Sequence, residues 1–126
     1  MPLVTLTTCK PQSAESKSVV LDAIHAALVS VGVPAADRFQ RVIELSPDNV
    51  RIDPGYPDVA GARSDNFLLI DILWSVGRSV KVKRGLLADL MARLMAGGID
   101  TEQVMVVFKE VGWENWSFAG GRILHA

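Results

Sequence analysis

The chain has 126 residues, 49% of them apolar, and a formal net charge of −1; it can bury one packed core and has no field to draw it to nucleic acid or a membrane surface. Its single cysteine, Cys9, excludes an intrachain disulfide framework and fits a reducing compartment. No apolar run reaches the length of a membrane span, because Asp71 divides Phe67–Ile70 from Ile72–Trp74, and the start has neither the basic nor the apolar region of a signal peptide; the expectation is a cytoplasmic protein.

The chain opens Met1-Pro2-Leu3-Val4-Thr5-Leu6-Thr7, a proline feeding directly into a β-strand. A small second residue lets the initiator be removed, so the mature chain is expected to begin at Pro2, with a secondary amine held on a rigid strand. An α-amino group titrates near ~7.7–8.0, and apolar burial or a nearby cation lowers that value. The alternative is an ordinary strand start. Ser13 then reads as a helix N-cap, and Val20, Leu21, Ile24, Ala27, Leu28 and Val31 recur at the spacing of one helical face. Gly32 and Pro34 end that helix. A second strand follows over Phe39–Leu45, and the Pro- and Gly-rich residues 46–62 form a long connection of the kind that often carries function or an interface.

Phe67–Trp74 is nearly continuous in its apolar character, as a strand buried on both faces should be. Ser79 is a second N-cap, and a second amphipathic helix runs from Val82 through Leu86, Leu90 and Leu94 to Met95, stopped by Gly97-Gly98. Val104–Phe108 is a fourth strand, and the tail from Gly112 is aromatic and turn-rich, with a short strand expected at Ile123–Leu124. The two halves repeat at an offset of 66: Leu3, Val4 and Leu6 fall on Leu69, Ile70 and Ile72, Ser13 on Ser79, Lys17 on Lys83, Leu28 on Leu94 and Gly32 on Gly98. The fold expected is α+β, a duplicated β-α-β unit with right-handed crossovers and two helices on one face of a four-stranded sheet. It would form one domain over residues 1–126, its halves at about 2–45 and 67–110 joined by the long loop. The uncovered sheet face needs apolar cover, most simply from copies of the chain in a closed ring.

Strands 1 and 3 hold equivalent places in the repeat, so Pro2 is expected at the level of Leu68. Arg78, in the loop after strand 3, can grip a carboxylate through two parallel hydrogen bonds. Lys81, Lys83 and Arg84 stand at a helix N-terminus, where cations oppose the macrodipole, and read either as a cationic pocket or as a solvated face. Asp37 lies between helix 1 and strand 2, where it can orient water or polarise a substrate group, or simply make an Asx turn. Trp113, Trp116 and Phe118 cluster in the tail, as an apolar wall or a subunit contact. His25 reads as structural, and Asp71, inside an apolar strand, faces a polar channel or pairs with a basic residue. No metal-ligand spacing, Walker motif or dinucleotide fingerprint is present.

The N-terminal proline on a strand, the doubled β-α-β unit, Val33-Pro34-Ala35-Ala36-Asp37-Arg38-Phe39-Gln40, Gly77-Arg78-Ser79 and Asn115-Trp116-Ser117-Phe118 together resemble the tautomerase superfamily, in its malonate semialdehyde decarboxylase-like branch. The resemblance implies a homotrimer with no cofactor, acting on a small anionic substrate. It implies Pro2 as general base or acid, Asp37 as the residue that activates water or positions substrate, Arg78 as the carboxylate ligand, and Trp116 and Phe118 as aromatic lining. Val76-Gly77-Arg78 departs from the Arg-Pro-Arg of one decarboxylase subgroup, and Ala119-Gly120-Gly121-Arg122 departs from the usual Gly-x-Gly. The activity expected is keto–enol tautomerisation of a small 2-keto acid with Pro2 as base. The alternatives are a decarboxylase or hydratase using Pro2 as acid, and a non-catalytic trimeric binding protein.

Overall fold

The computed structural model describes residues 1–125. Four strands and two long helices alternate along the chain: β1 (Leu3–Thr8), α1 (Ala14–Ser30), β2 (Phe39–Glu44), β3 (Leu68–Ser75), α2 (Val80–Ala96) and β4 (Val104–Val111). The sheet order is β2-β1-β3-β4. Within each half the strands run parallel, and the halves meet through the antiparallel pair β1–β3. This is the expected α+β fold of two β-α-β units with both helices on one sheet face.

The two helices start and stop by the same chemistry. Ser13 Oγ accepts from the Ser16 N–H at 3.0 Å, and Ser79 Oγ from the Val82 N–H at 3.2 Å, each satisfying one of the free donors of a first turn. At the far ends Val33 N–H donates to Leu28 O at 3.1 Å, and Ile99 N–H to Leu94 O at 2.9 Å. Both loops close through a glycine at positive φ, Gly32 (103°) and Gly98 (83°), the backbone this cap demands. A salt bridge repeats as well: Lys17 reaches Glu44 at 2.6 Å, and Lys83 reaches Glu110, each tying a helix to the last strand of its half. Lys83 is therefore a structural brace, not a pocket cation.

The core lies between sheet and helices. Val4 and Leu6, Ile70, Ile72 and Trp74, and Leu86, Leu90 and Leu94 are almost fully buried, each large apolar side chain contributing roughly 1.5–3 kcal/mol. Met95, expected on the buried stripe, is exposed. On the opposite sheet face a polar row crosses the strands: Arg41 Nε donates to Thr5 Oγ1 at 2.9 Å, and Lys109 Nζ pairs with Asp71 at 3.0 Å. Phe39, Ile43 and Met105 flank that row and are exposed. Asp71 thus has the basic partner that its place in an apolar strand called for.

The long connection is tied down by its own bonds. Arg63 donates to the carbonyls of Asp53, Tyr56 and Pro57. Ala60 N–H donates to Glu102 and Ser64 N–H to Gln103 Oε1, at the end of the sheet where β3 and β4 begin. The helices have 17 residues each, and none is long and apolar enough to cross a membrane.

Candidate functional site

The site lies at the other end of the sheet. Because β1 and β3 are antiparallel, Leu3 pairs with Leu73. Pro2 therefore lies beside Trp74, not level with Leu68 as the repeat suggested. An offset repeat equates positions within each half, but a pseudo-twofold between the halves sends equivalent positions to opposite ends. The consequence is chemical: the antiparallel pair brings the chain start to the loop that carries Arg78.

Pro2 is buried; Met1 forms a wall common to two cavities, and Pro2 lines the second of them. The first, about 260 Å³, is lined by Asp37, Arg78, Trp113 and His125 with residues 32–34. The second, about 200 Å³, is lined by Leu3, Phe39, Trp116 and Phe118. The three tail aromatics thus divide: Trp113 faces the charged cavity, while Trp116 and Phe118 stack at 6.0 Å along the apolar one. A bridge between Ser117 and Ile123 folds the tail back where a short strand was expected.

Arg78 is fixed from several directions. Its Nη1 donates to the Ser75 carbonyl at 2.5 Å, and the guanidinium carbon lies 4.5 Å from the Trp74 ring centroid and 5.7 Å from that of Trp113. Trp74 is itself stacked on Phe108 at 5.2 Å, and Trp113 is anchored by Nε1 donation to the Val76 carbonyl at 3.2 Å. A guanidinium held between two aromatic faces loses little entropy when it engages a planar anion. Burial lowers the Arg78 pKa, with Glu110 and Asp37 opposing.

Asp37 enters from the loop that follows the α1 cap. Its N–H donates to the Pro34 carbonyl at 2.9 Å, and His25 holds the same loop through Nε2 at 2.9 Å from the Ala35 carbonyl. Asp37 Oδ2 lies 3.9 Å from the Met1 amino nitrogen, while Oδ1 is buried without a hydrogen-bond partner. That excludes the Asx-turn reading, which needs the carboxylate on a nearby backbone N–H. Burial raises the Asp37 pKa, opposed by the terminal amine, His25 and Arg78. The terminal amine is pushed below its ordinary value, first by burial and also by Arg78, with Asp37 acting the other way.

Among the described residues the buried, unpartnered side-chain polar atoms are Asp37 Oδ1, Trp74 Nε1, Ser75 Oγ and Trp116 Nε1. All four belong to this end of the molecule. A buried polar atom left without a partner costs about 1–3 kcal/mol, so this end of the molecule is where water, a ligand or a partner chain would find hydrogen-bonding groups.

Residues 37–119 match the family described as tautomerase enzyme. The chain belongs to that family. The stretch matched starts at Asp37, so the N-terminal part of this tautomerase is compared through structure. Malonate semialdehyde decarboxylase FG41, inhibited by 3-bromopropiolate, superposes with a TM-score of 0.85 at 26% identity, over 96% of this chain and 92% of that one. A malonate semialdehyde decarboxylase described for its decarboxylase and hydratase activities gives 0.85 at 28% identity, over 96% and 93%. A fused 4-OT, described as a symmetric trimer, shares the fold at a TM-score of 0.70 and 24% identity, over 96% and 94%. No curated protein sequence matches the chain.

The internal repeat of this tautomerase supplies its own control. At the opposite end of the sheet the equivalents of Pro2, Asp37 and Arg78 are Leu68, Gln103 and Gln12, which line a cavity of about 280 Å³. Gln103 is bonded at both ends of its amide there, accepting from Ser64 N–H at 2.8 Å and donating to the Ala62 carbonyl at 3.1 Å. The charged residue lining that cavity is Asp100, whose Oδ1 accepts from the Glu102 N–H at 3.0 Å; among the described residues the buried, unpartnered polar atoms are at the Pro2 end. Sequence reasoning missed Trp74, Ser75 and His125 as neighbours of the site. Trp74 and Ser75 end a strand whose pairing direction the repeat does not reveal.

Proposed function

We propose that the chain is a keto–enol tautomerase of small 2-keto acids, in which the Pro2 nitrogen, freed by loss of Met1, is the general base. The observation that carries this reading is the position of Met1, which separates a cation-bearing cavity from the aromatic one that Pro2 lines. Loss of Met1 would join the two around the Pro2 nitrogen. Arg78 would then hold the substrate carboxylate, with Trp116 and Phe118 along the remainder of the substrate. The Pro2 nitrogen takes the enol hydroxyl proton as the C–O bond becomes a carbonyl. The electron pair of the C=C bond then recovers that proton at carbon, and the free amine is regenerated. Burial lowers the pKa of the Met1 amine, and a free amine one residue further in, on the buried Pro2, would meet the same desolvation, which favours a base near neutral pH.

Asp37 raises the pKa of the Met1 amine by its charge, and a carboxylate acts in the same direction on a Pro2 amine exposed beside it. In Asp37→Asn the acidic limb of kcat/KM against pH should move to lower pH, as measured with phenylenolpyruvate. A limb that stays in place, or moves up, would oppose a base flanked by this carboxylate.

A second reading, decarboxylation or hydration with a protonated Pro2, is favoured by the likeness to malonate semialdehyde decarboxylases. It inverts the pH profile, because the acid form is the active one and activity is lost as pH rises through the amine pKa. The proposal includes a homotrimer closed over the sheet face that carries Phe39, Ile43 and Met105.

A further inference from the structure

The chain has two histidines, and one of them faces the site. His125 lines the cavity that holds Asp37 and Arg78, and its ring stands edge-on to Trp113 with centroids 5.1 Å apart and an interplanar angle of 76°. Trp113 also lies over the Arg78 guanidinium. Arg78 and His125 therefore share one tryptophan as support at one cavity. The Ser117–Ile123 bridge returns the tail to this position, so the imidazole arrives by folding and not by chance proximity in sequence.

We propose that His125 is a second ligand for the anionic group that Arg78 binds, a specificity-determining residue that acts only while its imidazole is protonated. The inference rests on the tautomerase reading for the identity of the substrate, though not for the binding of an anion. Histidine is the side chain whose charge can change between about pH 5 and about pH 8. The charged groups around the cavity are Arg78 from the loop after β3, Asp37 from the loop after α1 and the terminal amine at the head of β1. Behind them, Glu110 on β4 acts on Arg78 and His25 on Asp37, while Glu114, beside Trp113, folds back over Gly112. A bound carboxylate would add negative charge at the cavity and hold the proton on His125. Ligand binding and proton uptake would then be linked.

The test uses the mature full-length chain and a non-reacting probe, 3-phenylpropanoate, followed by calorimetry from about pH 5.5 to about pH 8, either side of the ordinary imidazole pKa. The wild-type Kd should weaken roughly tenfold over that range, as loss of one charge-assisted hydrogen bond predicts. His125→Gln should bind more weakly at the acid end and keep only the part of the pH dependence that the terminal amine supplies. His125→Phe, which keeps an aromatic ring on Trp113, should behave like His125→Gln if charge and not stacking is responsible. His125→Arg should bind more tightly than His125→Gln at both ends. A wild-type Kd independent of pH, no binding of the probe at either pH, or a pH dependence of undiminished size in His125→Gln would each overturn the proposal. If Pro2→Ala retains full turnover while the His125 dependence is present, the tautomerase reading fails and the anion ligand stands.

Discussion

Replacing Pro2 by alanine is expected to lower kcat for phenylenolpyruvate by roughly 10²-fold or more, within the 10²–10⁴ that a positioned acid–base group contributes. KM should change little, since Arg78 and the aromatic wall are untouched. Alanine, like proline, is small enough to let Met1 be removed, so the variant still ends in an amine. That amine is primary, and its backbone is no longer fixed by a pyrrolidine ring, so it is poorly aimed at the substrate carbon. Pro2→Leu gives the sharper contrast. A bulky second residue retains Met1, which leaves the residue 2 nitrogen in an amide with no basic lone pair, and turnover should fall to background. Intact mass separates the two variants directly. Full activity in either one would remove the Pro2 nitrogen from the mechanism.

The second large effect is expected at Arg78. Truncating one member of a hydrogen-bonded charge pair costs about 2–5 kcal/mol, so kcat/KM for an anionic substrate should fall between about thirtyfold and several thousandfold in Arg78→Ala. Most of the loss should appear in KM, because the carboxylate is held in ground and transition states alike. Arg78→Lys keeps the charge but loses both the fork and the flat face between Trp74 and Trp113, so it should resemble Arg78→Ala more than the wild type. The pH profile gives an independent reading. Arg78 lowers the pKa of the Met1 amine, and a cation acts in the same direction on a Pro2 amine, so its removal should move the acidic limb upward, opposite to the shift in Asp37→Asn. Two variants that moved the limb in the same direction would break the electrostatic account.

The doubled fold was legible because local rules were written twice. Ser13 and Ser79, Gly32 and Gly98, and the apolar stripes of both helices each recur at one offset, and the caps, the terminators and the stripes, Met95 apart, do in the structure what their residue types predict. The fate of Lys83 was legible too. Glu44 and Glu110 are related by the same offset as Lys17 and Lys83, so the brace could have been read as a repeated pair. Two things were hidden by their physics. The direction in which the halves pair is a property of the sheet and leaves no trace in either half, so Pro2 was set beside Leu68 instead of Trp74. The division of Trp113 from Trp116 and Phe118 depends on a tight turn at Trp113–Asn115, which sends close neighbours in sequence to different cavities. His125 carried no spacing signal at all, since a single histidine in a turn-rich tail has no partner from which a pattern could be read.

The central claim is an amine poised as a base, and the most direct measurement is the titration of the Pro2 nitrogen by ¹⁵N NMR in the mature chain. The account predicts a single midpoint below the ~7.7–8.0 of an ordinary α-amino group, moving further down in Asp37→Asn. A midpoint at or above that range, or a nitrogen that does not titrate because it remains in a peptide bond, would contradict it.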